Sequence, residues 1–221
     1  MLFSESIFKY IEGFKINLPK IPSSVQFLLP YEADAVRLIS DRFYNAFYAD
    51  INCRKLILGI NPGRLGAGMT GVPFTDSKRL IENCNIETEI QCYEPSSEFI
   101  YQMITAYGGV EKFYKNYFIS SVSPIGFVKD GKNFNYYDDP KIYLLLEPYI
   151  EFQIGRLKNL NLHFDEVYCL GEGQNYKWLK KLNARHHWFG TIVPLAHPRY
   201  VMQYKRILIK SYIDLYIKAL A

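Results

Sequence analysis

Apolar positions along the chain alternate between long helical blocks and short extended ones. Residues 31–49, YEADAVRLISDRFYNAFYA, repeat apolar and aromatic side chains every three or four positions, the spacing of a helix with one buried face. A compact β-rich run, KLILGI (55–60), follows it. SSEFIYQMITAYGG (96–109) predicts a helix opened by serine and stopped by glycine. NYFISSVSPIG (116–126) predicts a second strand, and DPKIYLLLEPYIEFQIGRLKNL (139–160) a helix bent at Pro148. DEVYCLGEG (165–173) reads as a third strand and QNYKWLKKLN (174–183) as a helix. GTIVPLAHP (190–198) reads as a fourth strand, and VMQYKRILIKSYIDLYIKAL (201–220) as a closing helix. No internal repeat, linker or low-complexity segment interrupts the pattern.

Short buried strands separated by helices predict an α/β layered fold with a largely parallel sheet. Residues 1–221 are expected to form one domain, with 1–50 a mainly helical part packed on it. Such sheets bind ligands outside the carboxyl ends of their strands. Those ends carry Asn61-Pro62-Gly63, Ser121-Val122-Ser123-Pro124, Gly171-Glu172-Gly173 and His197-Pro198-Arg199, so the unusual residues share one rim. The first end opens GINPGRLGAGMTGVPF (59–74), in which five glycines and two prolines favour neither helix nor strand.

Composition narrows the chemistry. With 221 residues and 49% hydrophobic content, the chain can bury one sizeable core. No apolar run reaches the ~18 residues that a membrane span needs, and the first residues do not read as a secretory signal. A cytoplasmic protein is expected. Cys53, Cys84, Cys92 and Cys169 show no CxxC spacing; they read as reduced, mostly buried thiols, with no support for a metal or iron–sulfur site. From Lys177 to Ala221 there are nine Lys/Arg and one acid, a local net of +8 against −4 for the remainder. That is the footprint of a protein approaching a polyanion, or equally of a solvated helix face.

Within the glycine loop, Gly66-Ala-Gly68-Met-Thr-Gly71 formally matches GxGxxG. It does not follow its strand directly, and Val72-Pro73-Phe74 comes after it instead of a helix, which argues against a dinucleotide site. Acids do not cluster at the strand ends, which argues against a two-carboxylate glycosidase. What remains is a glycine-lined cavity with one amide (Asn61), one aromatic face (Phe74) and one imidazole (His197), a set suited to a flat, polar, neutral ligand such as a nucleobase. Taken singly, Asn61 reads equally as a loop-capping amide and His197 as a turn histidine. His163, His186 and His187 read as surface or structural residues.

At these residues the chain resembles the single-strand-selective monofunctional uracil-DNA glycosylases, as a bacterial-type side branch. Gly59-Ile60-Asn61-Pro-Gly63 through Thr70-Gly-Val-Pro-Phe74 aligns without a gap with that family's first motif, GMNPGPFGMAQTGVPFG. Leu195-Ala-His197-Pro-Arg199 is similar to its second motif, HPSPRN, and Gly131-Lys-Asn133 to its GKN stretch. The similarity spans about residues 55–220. The resemblance implies a three-layer α/β/α sandwich with a central four-stranded parallel sheet. It implies hydrolysis of the N-glycosidic bond of uracil or a related base flipped from DNA, without metal, cofactor or Schiff-base lysine, by a monomer. It places Asn61 on the attacking water, Phe74 against the base, and His197 on the base oxygen where negative charge develops. Gly59, Ile60, Gly63 and Ser121 would complete the base pocket. Arg199, Tyr200, Lys205, Arg206 and Lys210 would meet DNA, single-stranded and in some contexts double-stranded. Two departures stand out. Ser121 occupies the position of the family's base-reading asparagine, which opens the substrate range. Gly63 lacks the bulky aromatic of the strictest uracil enzymes, which predicts room for a substituent such as that of 5-hydroxymethyluracil. A non-catalytic module for modified or single-stranded nucleic acid, and an enzyme of free nucleosides, are the alternative readings.

Overall fold

The computed structural model describes residues 1–221. In chain order it begins with α1 (Phe3–Glu12), β1 (Val25–Leu28), α2 (Asp34–Tyr48) and β2 (Arg54–Gly59). A helical turn α3 (Ala67–Thr70), α4 (Ser77–Cys84), α5 (Pro95–Tyr107) and α6 (Val110–Asn116) follow. Next come β3 (Tyr117–Ser121), β4 (Gly126–Lys129), β5 (Lys132–Phe134) and α7 (Pro140–Arg156). The chain closes with β6 (Leu162–Leu170), α8 (Gln174–His186), β7 (Thr191–Leu195), α9 (Pro198–Tyr204) and α10 (Ile209–Leu220).

The strands β3-β2-β6-β7 form the expected four-stranded sheet, parallel throughout. Helices flank it, giving the α/β layered fold read from the sequence. The parallel strands are buried because crossover helices cover both faces, so Leu56, Ile57 and Leu58 read as one apolar run without alternation. Around β3 the core is dense in aromatics: Phe3, Tyr48 and Phe118 contact one another, as do Phe113 and Tyr117. No helix is long and apolar enough to cross a membrane.

A second sheet was not anticipated. β1, β4 and β5 pair antiparallel, and the strand expected over 116–126 stops at Ser121, its last residue Gly126 already opening β4 in this other sheet. The break falls at Ser123-Pro124: proline supplies no N–H for a ladder, and the Ser123 hydroxyl donates to Ile125 O at 2.9 Å. The chain then returns through Asp130 and Gly131, both in the left-handed region (φ 51° and 69°), a two-residue hairpin connection of the kind aspartate-glycine favours. The closing helix is likewise two helices, separated by a 3-10 turn at Arg206–Leu208. α4 and α6 also escaped the periodicity reading, because each is only two turns long. The glycine-rich stretch is not free of helix either: α3 forms inside it, entered at Gly66 and ended by Gly71 at φ 72°.

Candidate functional site

β2 is the strand at which the order of the sheet reverses, with β3 on one side and β6 on the other. The crevice beyond its carboxyl end is where open α/β sheets hold ligands. Gly59 ends the strand and leaves little space for a side chain: a Cβ there would stand 3.2 Å from the Phe74 ring and 3.4 Å from Ser121 Oγ. The loop that leaves β2 returns Phe74 to this strand end with a φ of 52°. A bulky aromatic in the left-handed region is strained, and such strain persists only where its surroundings enforce it. Here the Thr70 hydroxyl donates to Thr75 O at 2.7 Å, and the Tyr31 hydroxyl donates to Gly71 O.

Asn61 is held by the unexpected hairpin. Its Nδ2 donates to Phe134 O at 3.3 Å and to Pro62 O at 3.4 Å, while its Oδ1 accepts the Tyr136 N–H at 3.2 Å. Both amide hydrogens are used, which leaves one lone pair on Oδ1. An amide so placed can orient a water by accepting from it. The Tyr136 hydroxyl donates to Asn175 Oδ1 at 2.9 Å. The Asn175 amide in turn donates to Leu170 O at 3.0 Å and Gly59 O at 3.3 Å, tying the ends of β2 and β6 together. Asn133 contributes from β5, its Oδ1 accepting the Arg64 N–H at 2.9 Å. The GKN stretch thus supports the motif loop. Tyr136 and Asn175 carried no sequence signal, since their roles arise from contacts 75 and 116 residues away along the chain.

His197 caps α9. Its Nδ1 accepts the Arg199 N–H at 3.1 Å, so the ring carries its proton on Nε2 and presents a donor. Burial, reinforced by the positive charge of Arg199, lowers its pKa to about 4, so the imidazole is neutral at physiological pH. Its ring centroid lies 5.9 Å from that of Phe74 and is tilted by 56°.

Two spaces meet here. An outer cleft of about 270 Å³ is bounded by residues including Ile60, Asn61, Phe74, His197, Arg199 and Tyr200. An inner cavity of about 50 Å³ runs past Ser121 and Ser120 to Tyr10 and Phe14 of the N-terminal segment. Asn61, Gly63, Phe74 and Glu94 border both and so form the neck between them. Ser121 is buried on the inner wall. Gly63 is more confined than its lack of a side chain suggests: a Cβ would stand 3.3 Å from Asn133 Nδ2 and 3.9 Å from Glu94 Oε1. Glu94, at the start of α5, was not a candidate; only tertiary packing brings it to the site.

Of the basic residues singled out, Arg199 and Tyr200 border the cleft. Lys205, Arg206 and Lys210 lie further along the same segment, outside its lining. Arg206 pairs with Glu98 at 3.6 Å, which offsets part of its charge. Arg185 belongs to a different face, bound to Glu147 and Glu151 of α7. The carboxy-terminal basic excess is therefore split between a cleft-side group and an internally paired one. The four cysteines are free thiols, Cys84 and Cys169 buried and the other two half-buried. No three His, Cys, Asp or Glu side chains converge as a metal site would require.

The sequence profile described as "Uracil DNA glycosylase superfamily" matches residues 46–221. The crystal structure of wild-type Pedobacter heparinus SMUG2 superposes with a TM-score of 0.95 at 40% identity, over 99% of this chain and 97% of that one. That overlap includes the first fifty residues, which matched no motif. No curated protein is significantly similar to the chain.

Proposed function

The chain belongs to the uracil DNA glycosylase superfamily, on the single-strand-selective branch that its motifs resemble, and from that premise we propose that it hydrolyses the N-glycosidic bond of uracil and related deaminated bases in DNA, leaving an abasic site for base excision repair. The superfamily accounts for glycosylase chemistry on DNA. The substrate range and the monofunctional course of the reaction are our reading of the site.

One observation carries it: an acceptor on Asn61, a strained Phe74 and a neutral His197 donor border one cleft at the switch point of the sheet. A base extruded from DNA stacks on Phe74 with a carbonyl oxygen toward His197 Nε2–H. As the bond from C1′ to the ring nitrogen breaks, electrons move into the base and its oxygen becomes more negative. A donor already aimed there stabilises that charge more than it stabilises the bound substrate. A neutral imidazole suits this role because its weakly acidic Nε2–H donates to the oxygen without giving up the proton. Water held by Asn61 Oδ1 adds to C1′ as the bond to the base breaks; the base leaves with the electron pair and the water's proton passes to solvent. Since uracil leaves as a resonance-stabilised anion, a weak acceptor is sufficient. No lysine is assigned as a Schiff-base nucleophile, so the reaction ends at the abasic site with the strand intact.

Ser121 in place of an asparagine removes a paired donor and acceptor from the inner wall. The free volume beside it suits water, which adapts to different base edges. We therefore extend the substrate class to other deaminated bases, purines included. Arg199, Tyr200, Lys205 and Lys210 would follow the phosphate backbone of a DNA single strand, or of a duplex with one base extruded. The enzyme would act as a cytoplasmic monomer, needing neither metal nor cofactor. Incubation with oligonucleotides holding a single uracil, followed by alkaline cleavage of abasic sites, tests the proposal. Cleavage only after alkali is expected. Binding without base release would identify a non-catalytic module on the same fold, and cleavage before alkali would end the monofunctional reading.

A further inference from the structure

Glu94 is the one ionisable side chain in the neck of the site that the chemistry above leaves unused. Its backbone N–H donates to Asp76 Oδ2 at 3.1 Å, which fixes the residue where the chain enters α5. Its carboxyl turns inward. Oε2 is shielded from solvent and has no hydrogen-bond partner, one of only two such side-chain atoms in the molecule. The glycine loop is shaped around it: a Cβ on Gly66 would fall 2.0 Å from Oε2, and one on Gly63 would lie 3.9 Å from Oε1. Gly66 therefore keeps open a space that the carboxyl occupies. Burying a polar oxygen without a partner costs stability, and such groups call for an explanation such as a ligand that completes them.

We propose that Glu94 is a specificity-determining residue, a carboxylic acid that reads the adjacent N–H and C=O groups of an extruded deaminated base. The inference rests on the glycosylase reading and deepens it. A neutral carboxyl carries one donor and one acceptor side by side. When the carboxyl turns about its terminal bond, a soft torsion, both oxygens face the neck: its O–H donates to a ring carbonyl while its C=O accepts the neighbouring ring N–H. Uracil, hypoxanthine and xanthine share that lactam edge. The arrangement supplies the paired contact that Ser121 does not. It works together with the His197 donor, which requires an acceptor on the base and so opposes an exocyclic amine there.

The surroundings favour the neutral acid. Burial first, then the nearby Asp76 carboxylate, raise the pKa of Glu94 to about 7, with Arg199 pulling the other way. The groups that face it are Asp76 at the start of α4, Cys92, and Arg199 with His197 at the start of α9; Tyr200 and Tyr204 share the cleft. Ionisation removes the donor and sets a negative charge beside a base that is itself becoming negative. Activity from this contact is thus present below about pH 7 and lost as pH rises through that value.

The test is single-turnover base release from uracil and xanthine oligonucleotides at pH 5.5 to 9, for wild type, Glu94→Gln and Glu94→Ala. The wild-type rate should fall about tenfold across neutrality, the equivalent of one lost hydrogen-bonded contact. Glu94→Gln keeps a donor and an acceptor without ionising. It should hold within a few-fold of the wild-type low-pH rate and show no falling limb. Glu94→Ala should lose about tenfold at low pH on both bases. A wild-type limb that rises through neutrality and vanishes in Glu94→Gln would mean that the carboxylate takes a proton from water, which overturns the proposal. Superimposable profiles would overturn it as well, leaving Glu94 a packing residue, and so would a flat wild-type profile even if the variants misfold. If wild type releases no base at any pH, the glycosylase reading itself has failed and this inference falls with it.

Discussion

The two ends of strand β2 are built on opposite principles. At its amino end the Arg54 side chain is wholly buried, yet every guanidinium donor is used. Nε donates to Tyr114 O at 2.7 Å. Nη1 donates to Asp50 Oδ1 and Asn52 O, and Nη2 to Asp50 Oδ2 and Phe47 O. The rings of Phe3 and Tyr48 lie 4.5 and 4.7 Å from its Cζ. At the carboxyl end, five residues further on, the polar groups are incompletely satisfied. Asn61 keeps a lone pair, His197 a free N–H, and Glu94 an unpartnered oxygen. The first arrangement is complete without any ligand and stabilises the fold. The second is complete only when something binds, and it tolerates a strained Phe74 backbone as well. Along this one strand, complete hydrogen bonding goes with the fold and incomplete hydrogen bonding with the proposed site.

The sharpest way to break this contrast is to empty the amino end. Arg54→Ala leaves Asp50 and three backbone carbonyls without their donor, so unfolding free energy should drop by about 3–5 kcal/mol. Chemical denaturation would measure that loss, while the rate per folded molecule should be preserved. At the carboxyl end the effects should invert. Asn61→Ala and His197→Ala should each slow single-turnover base release by ~10²–10³ with little change in DNA binding, while unfolding free energy drops by only about 1–2 kcal/mol for the lost hairpin contacts or helix cap. Near-normal rates in both would remove the mechanism.

Ser121 sharpens the comparison at smaller scale. If it faces the base, Ser121→Asn should raise the rate on uracil relative to xanthine and hypoxanthine by an amount on the order of 1–3 kcal/mol in selectivity. Ser121→Ala should leave the rate ratios nearly as they are. Unchanged ratios in both variants would confine Ser121 to the strand end. Weaker still is the outer rim, where Arg199→Gln or Lys210→Gln should reduce the slope of log affinity against log salt by ~0.7–0.9 per lost phosphate contact. Binding titrations at several salt concentrations would show it, and an unchanged slope would mean that these charges are merely solvated.

Stability against pH offers the finest distinction. His197 has a folded pKa of about 4, below its ordinary 6.5, so the unfolded chain binds the extra proton first. The contribution of this group to stability is therefore full above about pH 6.5 and lost as pH falls toward 4. Asp50 acts lower on the scale: although partial burial opposes it, Arg54 holds its carboxylate below the usual value, so its contribution disappears only in stronger acid. Denaturation curves for His197→Gln should lack the first decline and keep the second.

Much of this protein was legible in one dimension. The strand–helix alternation predicts the parallel sheet because buried parallel strands must be apolar on both faces and need crossover helices between them. The motif loop was legible because glycine and proline restrict the backbone locally, Asn61 and His197 stand just past the ends of their strands, and Phe74 closes the glycine-rich loop. The antiparallel sheet of β1, β4 and β5 was not, since its strands are three or four residues long and its first partner lies about a hundred residues from the others. Nor was Glu94, an ordinary helix-entry acid until α5 folds it against Gly66. The sequence by itself determined which backbone segments could be strand, helix or tight loop, because those preferences act over a few neighbouring residues. Only the tertiary structure decided which polar atoms are satisfied and which are left waiting, because burial and hydrogen bonding depend on partners brought together from distant parts of the chain.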